Sequence, residues 1–163
     1  MRVLITGGAG FLGGHLGASL ARDGASVDLL DNFARGVRDG YLSDLVSSTA
    51  TELVTADLLG DSDLGGLRTD YEYVYHLAAI IGVQHVQSRP FAVLADNVRM
   101  TERALALARR QKALRRFVFA STSEVYAGTL LAGLLPIPTP ETAPLVLPSL
   151  HEPHELYAVE NLR

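Results

Sequence analysis

The sequence predicts an α/β fold, a parallel sheet covered by helices on both faces, and three observations carry that prediction. Strand-like and helix-like apolar patterns alternate through most of the chain. The first strand-like run breaks into glycines at 7, 10 and 13, with an apolar helix pattern behind them. A second apolar run then ends on an acid, Asp31. A chain of 163 residues is long enough to bury one core and short for two, so a single domain over residues 1–163 is expected.

The elements follow in order. Met1-Arg2-Val3-Leu4-Ile5 reads as the first strand and runs directly into the glycine turn. Leu12, Leu16 and Leu20 recur on one helical face, and Gly24 sits where that helix needs a left-handed cap. Val27 to Leu30 is the second strand. Asn32 to Gly40 is a polar, glycine-bearing connection to a short helix, followed by a third strand around Leu53 to Ala56 with Asp57 at its end. Tyr73 to Leu77 is the fourth strand. Asn97 to Lys112 carries Val98, Leu105 and Ala108 among charged residues and reads as an amphipathic helix, leading to a fifth strand at Phe117 to Ala120. Six of the seven prolines lie between Pro136 and Pro153. Each removes a backbone donor and disfavours helix in the residue before it, so 132–154 is expected as a long proline-rich loop, either a functional segment or disordered. A last helix begins near Glu155, and the chain stops within it.

Glycines at 7, 10 and 13 let the backbone turn tightly and approach a pyrophosphate, while the helix behind them aims unpaired N–H groups and its positive dipole end at the same place. Asp31, about 20 residues further on, is placed to accept both hydroxyls of an adenosine ribose. Its charge would meet a 2′-phosphate unfavourably, so the expected cofactor is NAD. The alternative is a glycine-rich turn followed by an unrelated solvated Asp, which leaves the order strand, turn, helix, strand and acid unexplained.

Hydrophobic content of 48%, charged content of 20% and a net charge of −4 are ordinary for a soluble domain and give no general attraction to nucleic acid or anionic membrane. The basic run Arg109-Arg110-Gln111-Lys112 with Arg115-Arg116 falls at a helix C-terminus, where the dipole favours cations, and is read that way rather than as a nucleic-acid patch. Without cysteine, disulfides, thiolate metal sites and cysteine nucleophiles are excluded, which is compatible with the cytoplasmic location expected here. With the first strand starting at Met1, no signal peptide is expected, and no apolar run approaches bilayer length. His151 and His154 have no partner at metal-ligand spacing, so no metal site is expected.

Several motifs occur in a fixed order: Thr6 to Gly13, Asp31-Asn32-Phe33 with Arg35-Gly36, Ala56-Asp57-Leu58, His76-Leu77-Ala78-Ala79, Asn97, and Ala120-Ser121-Thr122-Ser123-Glu124-Val125-Tyr126. Together they resemble the N-terminal, cofactor-binding part of the extended short-chain dehydrogenase/reductase family, the NAD-dependent nucleotide-sugar epimerases, dehydratases and decarboxylases. The resemblance spans essentially the whole chain. It implies a Rossmann-type doubly wound parallel sheet, with the substrate-binding region of such enzymes largely absent. It also implies cofactor contacts from Gly7, Gly10, Phe11, Leu12, Gly13, Asp31, Asn32, Asp57, Leu58, Leu77, Ala78, Ala79 and Asn97.

The same resemblance implies hydride exchange between NAD and a sugar carbon, coupled to proton transfer at its hydroxyl by Tyr157. Thr122 would hydrogen-bond that oxygen, and Glu124 is a candidate acid or base of the dehydratase and decarboxylase branches. A tyrosine that must ionise near neutral pH, against an ordinary pKa of about 10, needs a nearby cation. The family places a lysine one helical turn later, where this chain has Asn161. Asn161 can hydrogen-bond a nicotinamide ribose and carries no charge. Other readings therefore stand beside the enzyme: a non-catalytic NAD-binding module or fragment lacking activity, and a reductase acting on a non-sugar carbonyl. Thr122 and Glu124 read equally as a solvated strand end, and Tyr157 as a surface tyrosine. Residues Ile80 to His85 face sugar or nicotinamide, or form a packed apolar loop. The resemblance implies a homodimer through the 97–112 helix and the helix near Tyr157, and weak or absent dimerisation is expected for this chain.

Overall fold

The computed structural model describes residues 1–60 and 64–146. They group into two compact units, one of residues 1–79 and 96–120, the other of residues 80–95 with the described residues from 121 onward. The first unit holds the whole sheet. Strands β1 (Arg2–Thr6), β2 (Ser26–Asp31), β3 (Thr51–Thr55), β4 (Tyr73–His76) and β5 (Arg116–Phe119) lie in the order β3-β2-β1-β4-β5, every pair parallel. The strand order reverses between β1 and β4, and a crevice at such a switch point, outside the strand carboxyl ends, is where doubly wound sheets bind ligands.

Strand β1 is central, and its apolar alternation collapses into a continuous apolar run because both faces are covered: Val3, Leu4, Ile5 and Thr6 are fully buried. Val3 and Ile5 pair with Val27 and Leu29 on one face and join Leu42 and Leu45 in a core cluster. Leu4 and Thr6 pair with Asp28 and Leu30 on one side and with Val74 and His76 on the other, lining the opposite face.

Helix α1 (Phe11–Arg22) keeps part of its leucine pattern: Leu16 and Leu20 pack, partly buried, against the core cluster, whereas Leu12 is 67% exposed, and the fully buried positions are Gly13, Gly14 and Gly17. Gly17 has a reason to be bare: a Cβ there would come 3.0 Å from Leu29 Cδ2, so its absence lets helix and sheet approach closely. Gly24 ends the helix at φ +83°, as its position predicts. Helix α2 (Gly40–Ser48) starts where Asp39 accepts the backbone N–H of Leu42 at 2.9 Å.

Several boundaries differ from the sequence expectation. Strand β3 begins two residues earlier, and Asp57 lies beyond it rather than at its end. The 80–85 stretch, read either as facing sugar or nicotinamide or as a packed apolar loop, includes the start of a short helix, α3 (Val83–Ser88). Helix α4 (Pro90–Arg109) starts well before Asn97, because Pro90 sits at the first helical position, where its missing N–H has no partner to lose. In the second unit, 3₁₀ residues Ser123–Tyr126 and helix α5 (Ala127–Leu131) follow the fifth strand, where only a strand end was expected. Residues 132–146 contain neither helix nor strand, whereas the remainder of the proline-rich stretch and the helix expected near Glu155 lie outside the described residues.

Candidate functional site

In the first unit, the strand carboxyl ends carry the sequence-predicted residues. Gly7 follows β1 at φ +70°, and a Cβ on it would meet Ala78 N at 2.9 Å, so the glycine turn and the segment after β4 are in close contact. A Cβ on Gly8 would lie 2.6 Å from Leu29 Cβ. At Gly13 it would fall far inside contact with the Gly7 carbonyl oxygen and 2.8 Å from Gly8 Cα. These three positions exclude a side chain on steric grounds alone. Gly10 is different. Its added Cβ would meet a single atom, Gly7 O at 3.2 Å, a tight contact that a shift of a few tenths of an ångström relieves, so the fold crowds this position far less than the other three.

Gly10 is also the N-cap of α1, and no side chain caps that helix. The first turn holds no acid, and Phe11 and Leu12 are 78% and 67% exposed beside it. The leading N–H groups of an α-helix have no partner within the helix. An open, uncapped, positively polarised helix end is a place for a phosphate.

Asp31 closes β2 and is buried at 8% exposure. Its Oδ2 accepts the Ala9 N–H at 3.0 Å and its Oδ1 accepts the Phe33 N–H at 2.8 Å, so one carboxylate ties the glycine turn to the loop that follows β2. A carboxylate offers about four acceptor positions, and two remain for hydroxyl groups. Gly36 brings that loop back against the turn: a Cβ there would be 2.7 Å from Ala9 Cβ and 3.1 Å from Asp31 Oδ1. Asn32 is exposed and accepts the Ala34 N–H at 2.9 Å, while Arg38 lays its guanidinium 4.2 Å from the centre of the Phe33 ring. Asp57 accepts the Leu59 N–H at 2.8 Å and precedes the buried Leu58. Leu77 and Ala78 dock onto Thr6, through Leu77 N–H to the Thr6 carbonyl at 3.1 Å and Ala78 N–H to Thr6 Oγ1 at 3.3 Å. Asn97 lies on α4, its carbonyl accepting the Thr101 hydroxyl at 2.9 Å.

The second unit contains a cavity of about 540 Å³ lined by Ser121, Thr122, Ser123, Val125, Tyr126, Glu141, Ala143 and Leu145. Thr122 therefore faces a space of ligand size, while its Oγ1 also accepts the Glu124 N–H at 3.3 Å. Glu124 is exposed and is not one of the lining residues. Among the described residues, the acid on the wall is Glu141, which the sequence reading passed over; its signal was an acid between prolines in a stretch read as loop. Thr129, fully buried, donates to the Pro144 carbonyl at 2.6 Å and accepts the Val146 N–H at 3.1 Å, pinning the chain on both sides of Leu145. Tyr157 and Asn161, with His151 and His154, lie outside the described residues. Among the described residues, no group of three His, Cys, Asp or Glu side chains could hold a metal ion, and no helix is long and apolar enough to cross a membrane.

A model of the NAD dependent epimerase/dehydratase family matches residues 3–162. The chain belongs to that family. It is 35% identical over 125 residues to a UDP-N-acetyl-alpha-D-glucosaminuronate decarboxylase of Bacillus cytotoxicus, a match covering 77% of this chain and 37% of that protein. The fold is shared with a UDP-glucose-4-epimerase from Stenotrophomonas maltophila, solved with NAD and formylated UDP-arabinopyranose: TM-score 0.78, 24% identity, 99% of this chain and 46% of that one. A UDP-glucuronic acid 4-epimerase from Bacillus cereus, solved with a fluorinated UDP-sugar and NAD, superposes with TM-score 0.73 at 28% identity, over 99% of this chain and 49% of that one. The chain spans less than half the length of these relatives. The cofactor of this epimerase/dehydratase family fits the first unit on the chain's own terms: the lightly crowded Gly10, the uncapped helix end and the half-satisfied Asp31 carboxylate are complementary to a pyrophosphate and a ribose.

Proposed function

We propose that this chain binds NAD and forms the cofactor-binding part of an enzyme that oxidises a ring hydroxyl of a nucleotide sugar, in the manner of the epimerases, dehydratases and decarboxylases of its family. The observation that carries the reading is the contrast within the glycine turn. Gly7, Gly8 and Gly13 are glycine because the fold fills the space where a side chain would go, while at Gly10 an added Cβ would meet only one atom, Gly7 O at 3.2 Å, and a longer side chain would reach past it to the uncapped helix end. A glycine kept bare beside an uncapped helix end fits a ligand's phosphates occupying that space.

In this reading the leading N–H groups of α1 hold the pyrophosphate and Asp31 accepts the ribose hydroxyls. Asn32, Asp57 and Leu58 bound the adenosine end. Leu77, Ala78, Ala79 and Asn97 lie beside the cofactor. The chemistry NAD supplies when bound is acceptance of a hydride from a carbon bearing a hydroxyl, and its return. Thr122 hydrogen-bonds the sugar oxygen from the wall of the second unit's cavity, Glu124 is kept as an acid or base of the dehydratase and decarboxylase branches, and Tyr157 takes the hydroxyl proton. Asn161 favours a second reading, an NAD-binding module without turnover, since it brings no positive charge to lower the Tyr157 pKa.

The experiment is a calorimetric titration with NAD followed by titration of the NAD-saturated chain with UDP-, dTDP- and GDP-sugars. Binding of NAD is expected, with sugar-nucleotide binding weak at most because the chain spans less than half the length of its relatives. Measurable sugar-nucleotide binding that needs bound NAD favours the enzyme part over the module, and absence of NAD binding overturns the proposal.

A further inference from the structure

One buried imidazole joins three elements of the first unit. His76, 3% exposed at the end of β4, places Nδ1 2.7 Å from Thr6 Oγ1 on β1 and Nε2 3.4 Å from Thr101 Oγ1 on α4. The rings of Phe117 and Phe119 on β5 stand 6.3 and 5.9 Å from it, centre to centre. No charged group contributes to its titration, and burial alone pushes its pKa down to about 4. It is a neutral imidazole at physiological pH, with one nitrogen that donates and one that accepts.

The hydrogen bonds around it fix which is which. The Thr101 hydroxyl donates its single hydrogen to the Asn97 carbonyl at 2.9 Å, so it meets the imidazole as an acceptor. Nε2 is therefore the protonated nitrogen, and Nδ1 the acceptor. The Thr6 hydroxyl donates to Nδ1 and accepts the Ala78 N–H at 3.3 Å. Every bond then runs in one direction: Ala78 N–H to Thr6, Thr6 to His76, His76 to Thr101, Thr101 to the Asn97 carbonyl. The two ends of this relay are residues beside the cofactor in the reading above, and Thr6 is the residue from which the glycine turn departs.

We infer that His76, as its Nε2–H tautomer, is a positioning residue for the cofactor: it locks the segment after β4 and the Asn97 turn of α4 to the start of the glycine turn, and so fixes the crevice at the β1–β4 switch point. The inference rests on the NAD reading. A hydrophobic residue of similar size would fill the volume and leave the Thr6 hydroxyl without an acceptor. The crevice would then lose its register while the sheet stays paired through β1 and β4. Positioning errors of this kind weaken a ligand that spans several elements more than they weaken the fold.

The test combines variants at the α4 end with a spectroscopic signature. Thr101→Val removes the acceptor without changing the shape, and Thr101→Ser restores it. NAD affinity is measured by calorimetry, and the His76 ring nitrogens are followed by nitrogen-15 NMR during the NAD titration. The expected result is an unprotonated Nδ1 and a protonated Nε2 in the wild-type protein, with shifts that move on NAD addition. Thr101→Val is expected to lose about tenfold or more in NAD affinity, and Thr101→Ser to keep it within about twofold. A protonated Nδ1, ring shifts indifferent to NAD, or a folded Thr101→Val with wild-type affinity would each overturn the inference. If Thr101→Val does not fold, the wild-type nitrogen signature decides. A wild-type protein that binds no NAD overturns the cofactor reading and the positioning role with it, while the ring nitrogens still report whether the relay exists.

Discussion

Gly10 and Gly13 are three residues apart in one turn, and the structure assigns them opposite fates on substitution. Gly10 has extended backbone, φ −77° and ψ 168°, which any residue adopts, and a Cβ there meets only Gly7 O at 3.2 Å. Gly10→Val should therefore cost the fold about 1–2 kcal/mol, from the poorer N-cap and the tight contact with Gly7 O, less than the substitution at Gly13. The branched side chain would stand in front of the helix end, displacing a phosphate from at least two N–H donors. Charge-assisted bonds of that kind contribute about 1.5–3 kcal/mol each, so NAD affinity should fall by about a hundredfold or more. At Gly13 even a methyl group drives into the Gly7 carbonyl and sits 2.8 Å from Gly8 Cα, backbone that cannot rotate away. Gly13→Ala should lose up to about 3 kcal/mol of stability by overpacking, lowering Tm on the order of 10 °C. Thermal unfolding by circular dichroism and calorimetry with NAD on both variants make the comparison. A folded Gly10→Val with unchanged NAD affinity, or Gly13→Ala with unchanged Tm, would refute the steric reasoning.

Further outcomes follow from individual groups. His76 has a folded pKa of about 4 against an ordinary 6.5, so the unfolded chain takes up a proton first as the pH falls. Its contribution is intact above pH 6.5, is lost between 6.5 and about 4 to a total of about 3 kcal/mol, and changes no further below. Burial raises the Asp28 carboxyl, whose contribution runs in the opposite sense, so denaturant unfolding at pH 7 and 4.5 is compared between the wild type and His76→Gln; an identical pH dependence in both would exclude His76 as the cause. Thr129→Val, isosteric, removes two bonds that hold the chain around Leu145 and should lower stability by about 1–3 kcal/mol in urea unfolding, with NAD affinity unchanged; an unshifted midpoint would show that the hydroxyl holds nothing. Turnover of UDP-, dTDP- and GDP-sugars, followed by NADH formation and product analysis, should be slight or absent for this chain and higher for Asn161→Lys. The base it would activate is typically worth about 10² to 10⁴ in rate, and brisk turnover by the unchanged chain would contradict the role given to a cation at 161.

The sheet was legible in the sequence because a strand buried on both faces is written as an uninterrupted apolar run, as in Val3-Leu4-Ile5, and because parallel strands need the helices that alternate with them. The glycine turn and Asp31 were legible for a different reason: their roles are set by backbone conformation and short-range order, which spacing records. The leucine stripe was right for Leu16 and Leu20, which pack against the core, and missed the rest of the contact because α1 also approaches the sheet through Gly13, Gly14 and Gly17, and a residue without a side chain leaves no mark on a hydrophobic pattern. Pro90, a helix breaker in most positions, hid the true start of α4. Glu141 was invisible because the wall of the second unit's cavity joins residues some twenty apart through backbone with no periodicity, and Thr129 because its partners, Pro144 and Val146, lie in the same irregular stretch. His76 could be read as part of a motif but not as a relay, since its partners come from β1 and α4.

The central claim is that the first unit is an NAD site whose selectivity is written at Asp31, and the most direct measurement is a paired calorimetric titration of the chain with NAD and with NADP. The account predicts saturable NAD binding, weaker NADP binding because a 2′-phosphate meets the Asp31 carboxylate, and loss of NAD affinity in Asp31→Ala. NADP bound as tightly as NAD, or NAD affinity indifferent to Asp31→Ala, would contradict it.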